Sequence, residues 1–400
     1  MKIAKKKSWP KWPVFNKEDR LAVNRVIKSN NLVAWGNDKK LFPGEVKEFE
    51  KEFKKYIGAK YALGVGNATQ GLHLAVTALN IGVGDEVIVS VYSFISTASC
   101  VLMQNAVPIF ADIDETTLLI SASEAEKKIT KRTKAIIVTT LFGYPSDLSS
   151  LISISRKYNI PIIEDASHSH GASINGKKIG SFGLISVFSL NQRKVLPAGD
   201  GGIVLTNNRT IAKKIYRLRS FGEKELSYNY RLSEFAAAIV RGRLKKLDFD
   251  NALRHKNALF LDKLFKGFNY IKVRLPNKNS ISSYYKLILE CNFSTKKITI
   301  NKFVKLMNKR GIPISKTYTP LHLHPHFNSK IEPARGYPWN WKIYSNKRKK
   351  HISYKNEKYP VAERLINKEL LQLNIHPPVS QNEMKKVYNT IISIFKKINM

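Results

Sequence analysis

The sequence predicts an α/β fold: a mostly parallel central sheet covered by helices on both faces, followed by a smaller α+β domain. Two observations carry this expectation. From Tyr61 to Thr206, short apolar runs alternate with helix-patterned stretches, as expected of strands joined by helical crossovers. Beyond about residue 250 the alternation stops, and charged helical stretches mix with isolated strands. The expected division is an N-terminal arm over residues 1–30, a large domain over 31–250 and a small domain over 251–400.

The elements follow in order. Leu21, Val23, Val26 and Ile27 predict a helix in the N-terminal arm, and Glu45 to Tyr56 reads as a charged helix with Phe49 and Phe53 on one face. The strand runs are Tyr61–Val65, Glu86–Val91, Pro108–Ala111, Lys134–Thr139, Pro161–Glu164, Ile185–Leu190 and Ile203–Thr206. Their near-continuous apolar character suits strands buried on both faces. Leu72, Ala75, Val76 and Leu79 follow the stripe of an amphipathic helix, as do Ile211, Ile215 and Leu218. A helix over Ser233–Val240 leads into a charged helical stretch from Arg241 to Phe265. In the small domain, Tyr284–Leu289 and Lys297–Ile300 are expected as strands and Lys302–Lys309 as a helix. Residues 328–358 are basic, polar and aromatic and read as a long loop.

With 400 residues, 43% of them hydrophobic, the chain can bury a substantial core and is not a disordered segment. Cys100 and Cys291 are the only cysteines, too few for a disulfide framework or a paired zinc motif. The basic start Met1–Lys5 is followed by no apolar signal core, and no apolar run is long enough to span a bilayer, so the cytoplasm is the expected compartment. The formal charge is +38, from 68 basic against 30 acidic residues. The lysines are scattered, with clusters at Lys5–Lys7 and Lys347–Lys350, and no nucleic-acid-binding motif accompanies them. Composition bias and a preference for anionic small substrates therefore outweigh nucleic acid as the reading of this charge.

Ligands of open α/β sheets gather at the carboxyl ends of the strands, and four segments deliver functional groups there. Gly64–Gln70 is a strand-to-helix transition whose N-terminal N–H groups suit a phosphate, with Asn67 or Thr69 as an ordinary cap in the alternative. Val91–Thr97 brings Phe94, an aromatic able to stack on a ring. Asp165–Ala172 follows the strand Pro161–Glu164, and a buried Asp165 needs a partner such as a pyridinium N–H. Ser189–Lys194 places a lysine after a short apolar strand and before Gly199–Gly202, where it can bond to a carbonyl cofactor such as pyridoxal phosphate. His168 and His170 lack a third ligand at metal spacing, so no metal is expected.

Asn67-Ala68-Thr69 with Leu72–Leu74, Gly82–Val89, Glu164-Asp165 with His170–Ala172, Ser189, Lys194, Gly199–Gly202 and Tyr228–Leu232 occur in one order. Together they resemble the DegT/StrS family of pyridoxal-phosphate-dependent sugar aminotransferases, which have the type I aminotransferase fold. The likeness runs from about Phe42 to Leu247 and resumes at Tyr318–His324 and Tyr359–His376. It implies that Lys194 bonds to the cofactor and that Asp165 pairs with the pyridine nitrogen. It also implies that Asn67 and Ala68 bind the cofactor, that Thr69, Gln70 and Ser189 contact its phosphate and that Phe94 stacks on the ring, with His168 near the phenolic oxygen. Asn229 or Arg231 would reach the phosphate of a second subunit, which implies a homodimer with shared sites. Some members carry histidine in place of the lysine and act as dehydratases; Lys194 argues against that branch. Arg193 stands where a small residue is common.

The resemblance implies transfer of an amino group from glutamate or glutamine to a keto-sugar, nucleotide-linked or cyclitol-like, in amino-sugar, polysaccharide or secondary-metabolite biosynthesis. The competing class is a basic nucleic-acid-binding or regulatory protein on a retained aminotransferase fold. The segment Tyr318–His326 offers alternating histidines. The resemblance places Tyr318, His322 and His324 at the rim of the sugar pocket, as substrate residues.

Overall fold

The computed structural model describes residues 8–33, 44–222, 225–293, 298–328, 354 and 356–398. Most of the long basic loop expected over 328–358 lies outside them, as do both lysine clusters.

The strands in chain order are β1 (Tyr61–Val65), β2 (Glu86–Ser90), β3 (Val107–Ala111), β4 (Thr133–Thr139), β5 (Ile162–Asp165), β6 (Ser173–Ile174), β7 (Lys177–Lys178), β8 (Ile185–Ser189) and β9 (Gly202–Thr206). Seven of them form the central sheet in the order β1-β9-β8-β5-β4-β2-β3. From β8 to β3 every neighbouring pair is parallel, whereas β9 is antiparallel to both β1 and β8. Every residue of β2, β5, β8 and β9 is buried, which is why these strands read as near-continuous apolar runs rather than as alternating ones.

Helices α1 (Lys17–Ser29), α2 (Glu45–Ile57), α3 (Ala68–Ala78) and α4 (Ser96–Met103) precede or join the early strands. The first is locked by a capping box between Asn16 and Asp19, and it packs Ala22 and Val26 against Ala238. The helix α2 buries Phe49 and Phe53, as its sequence stripe predicts.

The topology brings five chain positions to one edge of the sheet. Val65, Ser90, Thr139, Asp165 and Ser189 end β1, β2, β4, β5 and β8, and the reversed direction of β9 sets its first residue, Gly202, opposite both Val65 and Ser189.

A second sheet, β10 (Ile271–Val273), β12 (Leu287–Cys291), β14 (Leu370–Leu373) and β13 (Ile314–Lys316), is antiparallel throughout. The strand β11 (Ser280–Ile281) instead pairs with β6, tying this region to the segment just after Asp165. The N-terminal arm crosses both parts, because Trp9 Nε1 donates to the Asn374 carbonyl at 3.2 Å and Trp12 Nε1 to the Lys194 carbonyl at 3.0 Å.

Three local expectations change, and one further segment takes a turn conformation. The charged stretch after Ser233 is two helices, Glu234–Leu244 and Leu247–Phe265, broken at Lys245-Lys246. The strand expected from Tyr284 begins only at Leu287, because Tyr284 has a φ of 47° that no strand accommodates. The strand expected over Lys297–Ile300 is not formed by its described residues: Thr299 caps the helix Ile300–Lys309, its side chain accepting from the Lys302 N–H. Tyr318–His326 is not extended, since Leu321–Leu323 forms a 3₁₀ turn and Pro325–Asn328 a helical turn.

Candidate active site

Asp165 occupies the floor of the site, buried at the end of β5. Its Oδ2 accepts from Thr97 Oγ1 at 3.0 Å and its Oδ1 from the Ser167 N–H at 3.2 Å. Thr97 Oγ1 also lies 2.7 Å from Ser93 Oγ, which is 3.0 Å from Thr139 Oγ1. A chain of buried hydroxyls from β4 and α4 thus fixes the carboxylate. Among the described residues no lysine, arginine or histidine forms an ion pair with Asp165. A buried carboxylate held only by neutral donors suits a cationic N–H arriving with a ligand.

Lys194 lies in the turn between β8 and β9, where its N–H donates to the Asn191 carbonyl at 2.8 Å. Its Nζ sits 4.5 Å from the centroid of the Tyr285 ring. Burial lowers its pKa to about 7, Asp165 pulls it up in part, and the charge of Lys286 pushes it further down. His168 stacks on Tyr285 with centroids 4.2 Å apart, and its Nδ1 accepts from the Phe142 N–H at 3.2 Å, which leaves the proton of the neutral ring on Nε2. Burial, then the charges of Lys194 and Lys286, hold His168 well below its ordinary pKa, so the ring is neutral.

The opposite wall is the first turn of α3. Asn67 is its N-cap and accepts from the Gln70 N–H at 2.9 Å. Ala68 and Thr69 are the first two helical residues, whose N–H groups have no intrahelical acceptor. Thr69 Oγ1 is 2.6 Å from Ser96 Oγ at the start of α4, so two helix N-termini meet here. Gly202 makes the approach of β9 possible: a Cβ there would stand 2.8 Å from the Asn67 carbonyl carbon and 2.9 Å from the Ala68 nitrogen. Among the described residues Ser189 Oγ accepts only the Asn191 N–H, at 3.3 Å. The Gln70 side chain lies against Gly66, and its Oε1 is buried with no hydrogen-bond partner among the described residues.

The remaining sequence-predicted residues divide. Phe94 is half exposed and edge-on to Tyr318 at 5.9 Å; Tyr318 in turn stacks on Phe142 at 5.7 Å and lies 6.2 Å from His168. Both therefore belong to the aromatic wall of the site. His322 does not stand at a rim. It is 1% exposed, its Nε2 meets Glu363 Oε1 at 3.2 Å, and its ring packs on Tyr359 at 4.7 Å. The 3₁₀ turn rotates it inward, separating it from His324, which is partly exposed and accepts the His326 N–H at 3.2 Å. Asn229 is exposed and accepts from Arg231 Nε at 3.1 Å, and Arg231 stands 5.0 Å from the Phe221 ring on the outer side of β1.

Five contributors escape sequence reasoning. Ser93 and Thr97 stood in a segment read only for Phe94, although a run of hydroxyl residues opening a helix is a usable signal. Trp12, Tyr285 and Lys286 carry no local signal at all, since they come from the arm and from a coil before β12.

Residues 13–349 match the model of the DegT/DnrJ/EryC1/StrS aminotransferase family. An L-glutamine:2-deoxy-scyllo-inosose aminotransferase of Streptomyces kanamyceticus is 32% identical over 80% of this chain and 79% of its own length. A dTDP-3-amino-3,6-dideoxy-alpha-D-galactopyranose transaminase of Aneurinibacillus thermoaerophilus is 31% identical over 94% of this chain and 95% of its own. The crystal structure of an aminotransferase from Psychrobacter cryohalolentis superposes with a TM-score of 0.86 at 27% identity, covering 98% of this chain and 100% of that one. The sheet order, the lysine turn between β8 and β9 and these likenesses agree, and the chain belongs to the DegT/DnrJ/EryC1/StrS aminotransferase family.

Proposed function

We propose that this transaminase uses pyridoxal phosphate to move an amino group from glutamate or glutamine to a keto-sugar. One observation carries the reading: a buried carboxylate, Asp165, with no cationic partner among the described residues, is electrostatically coupled to a lysine whose pKa is about 7. The residues fit the cofactor, which when bound supplies an electron sink for the substrate carbon. Asp165 would accept the ring N–H and hold it protonated. The Ala68 and Thr69 N–H groups and the Ser189 hydroxyl would receive the phosphate, with Asn67 fixing the turn that presents them. Phe94 would cover the ring, and the neutral His168 would offer its Nε2 proton to the phenolic oxygen. Lys194 Nζ, neutral in half of the molecules near pH 7, would hold the cofactor and then shift a proton at the substrate Cα. The exposed Asn229 and the partly exposed Arg231 support a homodimer in which one or the other reaches the second subunit's phosphate. We divide the chain at about residue 250, where the helix Leu247–Phe265 begins and packs on β10 of the small sheet.

The relatives act, by their names, on a cyclitol ketone and on a dTDP-linked sugar, so both acceptor classes are in range. The test mixes the protein with pyridoxal phosphate and follows the visible band. Glutamate or glutamine should discharge it, and a panel of keto-sugars should restore it with an aminated product seen by mass spectrometry. Protein that stays colourless, or a band indifferent to both donors, would overturn the reading. Salt-sensitive DNA binding by colourless protein would favour the nucleic-acid alternative.

A further inference from the structure

A second, partly buried amine stands near Lys194. Lys286 Nζ lies 4.9 Å from the same Tyr285 ring centroid that Lys194 Nζ approaches to 4.5 Å. Its groups of positive or titratable character are Lys194, Arg193, His168 and His376, each electrostatically coupled to it or to its neighbours. No carboxylate among the described residues pairs with it, and its bonding partner is the neutral Asn374 Oδ1. The ring face of Tyr285 offsets part of this charge. The remainder is uncompensated in a partly buried site, which is costly unless an anion arrives. An ammonium has three N–H donors and Asn374 takes one, so two stay available. Asn374 is itself anchored, because its carbonyl accepts the Trp9 indole N–H.

We propose that Lys286 binds the α-carboxylate of the amino-acid donor. The assignment rests on the transaminase reading above and adds the group that selects the donor. Its place argues for a carboxylate of the donor and against a phosphate of a nucleotide-linked acceptor. The α-carboxylate is one bond from the carbon that bears the reacting nitrogen, so its partner must lie within a side chain's reach of Lys194. A phosphate on a nucleotide-linked sugar is held away from the reacting carbon by the sugar ring. Burial, aided by Arg193, brings the Lys286 amine down to about 8, so it is largely protonated at neutral pH and able to pair with the anion.

The test titrates the holoenzyme with 2-methylglutamate, which has no Cα hydrogen and cannot turn over, and separately with thymidine diphosphate. Lys286→Met should weaken 2-methylglutamate about tenfold or more, the share of one charge-assisted hydrogen bond. Lys286→Arg should restore affinity to within about threefold, and thymidine diphosphate binding should be unchanged in both. Unaltered 2-methylglutamate binding in Lys286→Met overturns the proposal, as does native protein that fails to bind this probe. Loss in both variants, with native near-ultraviolet dichroism retained, excludes a charge-based role. A fall in thymidine diphosphate affinity instead assigns the amine to the acceptor's phosphate. Failure of the transaminase reading has a separate signature, the lack of a borohydride-fixed cofactor on Lys194 in native protein.

Discussion

The titration of Lys194 offers a direct experiment on the cofactor-free protein. Burial is the main cause of its lowered pKa, with Asp165 opposing and Lys286 reinforcing the shift to about 7. At pH 7 about half of these amines are neutral, against roughly one in 2,500 for a lysine at its ordinary value of about 10.4. Only the neutral amine is a nucleophile, so Lys194 should be about a thousandfold enriched in the reactive form over a lysine at that ordinary value. Trace acylation across pH 5–10, read peptide by peptide by mass spectrometry, should give a midpoint near 7 for Lys194. The two neighbours then move it in opposite directions: Asp165→Asn removes the charge that raises the pKa and shifts the midpoint down, and Lys286→Met shifts it up. A midpoint above 9, or both variants moving it the same way, refutes the electrostatic account. The same depression has a consequence for stability. Between the folded value of about 7 and the unfolded value near 10.5 the unfolded chain holds the extra proton, so the contribution of Lys194 to stability rises with pH across that window.

Thr97→Val keeps the shape of the side chain but strips Asp165 Oδ2 of its O–H donor; the cofactor-free protein should lose about 1–3 kcal/mol in urea unfolding, while Thr97→Ser loses less. Equal losses would remove the hydroxyl from the argument. Lys194→Ala should abolish transamination, and mixing it with Arg231→Ala under subunit exchange should restore part of the activity if sites are shared between subunits. Absence of rescue after confirmed exchange counts against the shared site. His322→Ala deletes a buried ring that packs on Tyr359 and pairs with Glu363, so it should lower the melting temperature by a few degrees and leave the keto-sugar KM within about twofold. A large KM effect with an unchanged melting temperature would return His322 to the substrate rim.

What the sequence determined by itself is local in origin. Near-continuous apolar runs mark strands buried on both faces, and the polar segments that follow them fall at the carboxyl edge of the sheet, which is why the positions of Asp165, Ser189 and the Asn67 cap were legible in advance. The lysine turn was legible because glycines at 199, 201 and 202 follow it, and Gly202 is required by the close approach of β9 to α3. The tertiary structure alone decided the rest. Trp12, Thr97, Tyr285 and Asn374 are far apart in the chain, and only the docking of the arm and the small sheet against the central sheet sets them around Lys194 and Asp165. The substrate-rim expectation for His322 came from the resemblance, which does not carry the local backbone: the 3₁₀ turn over Leu321–Leu323 turns His322 into the interior, where Glu363 supplies its partner. Periodicity and capping depend on neighbours within a few residues, whereas the electrostatics of a site depend on which distant charges the packed elements bring within reach of one another.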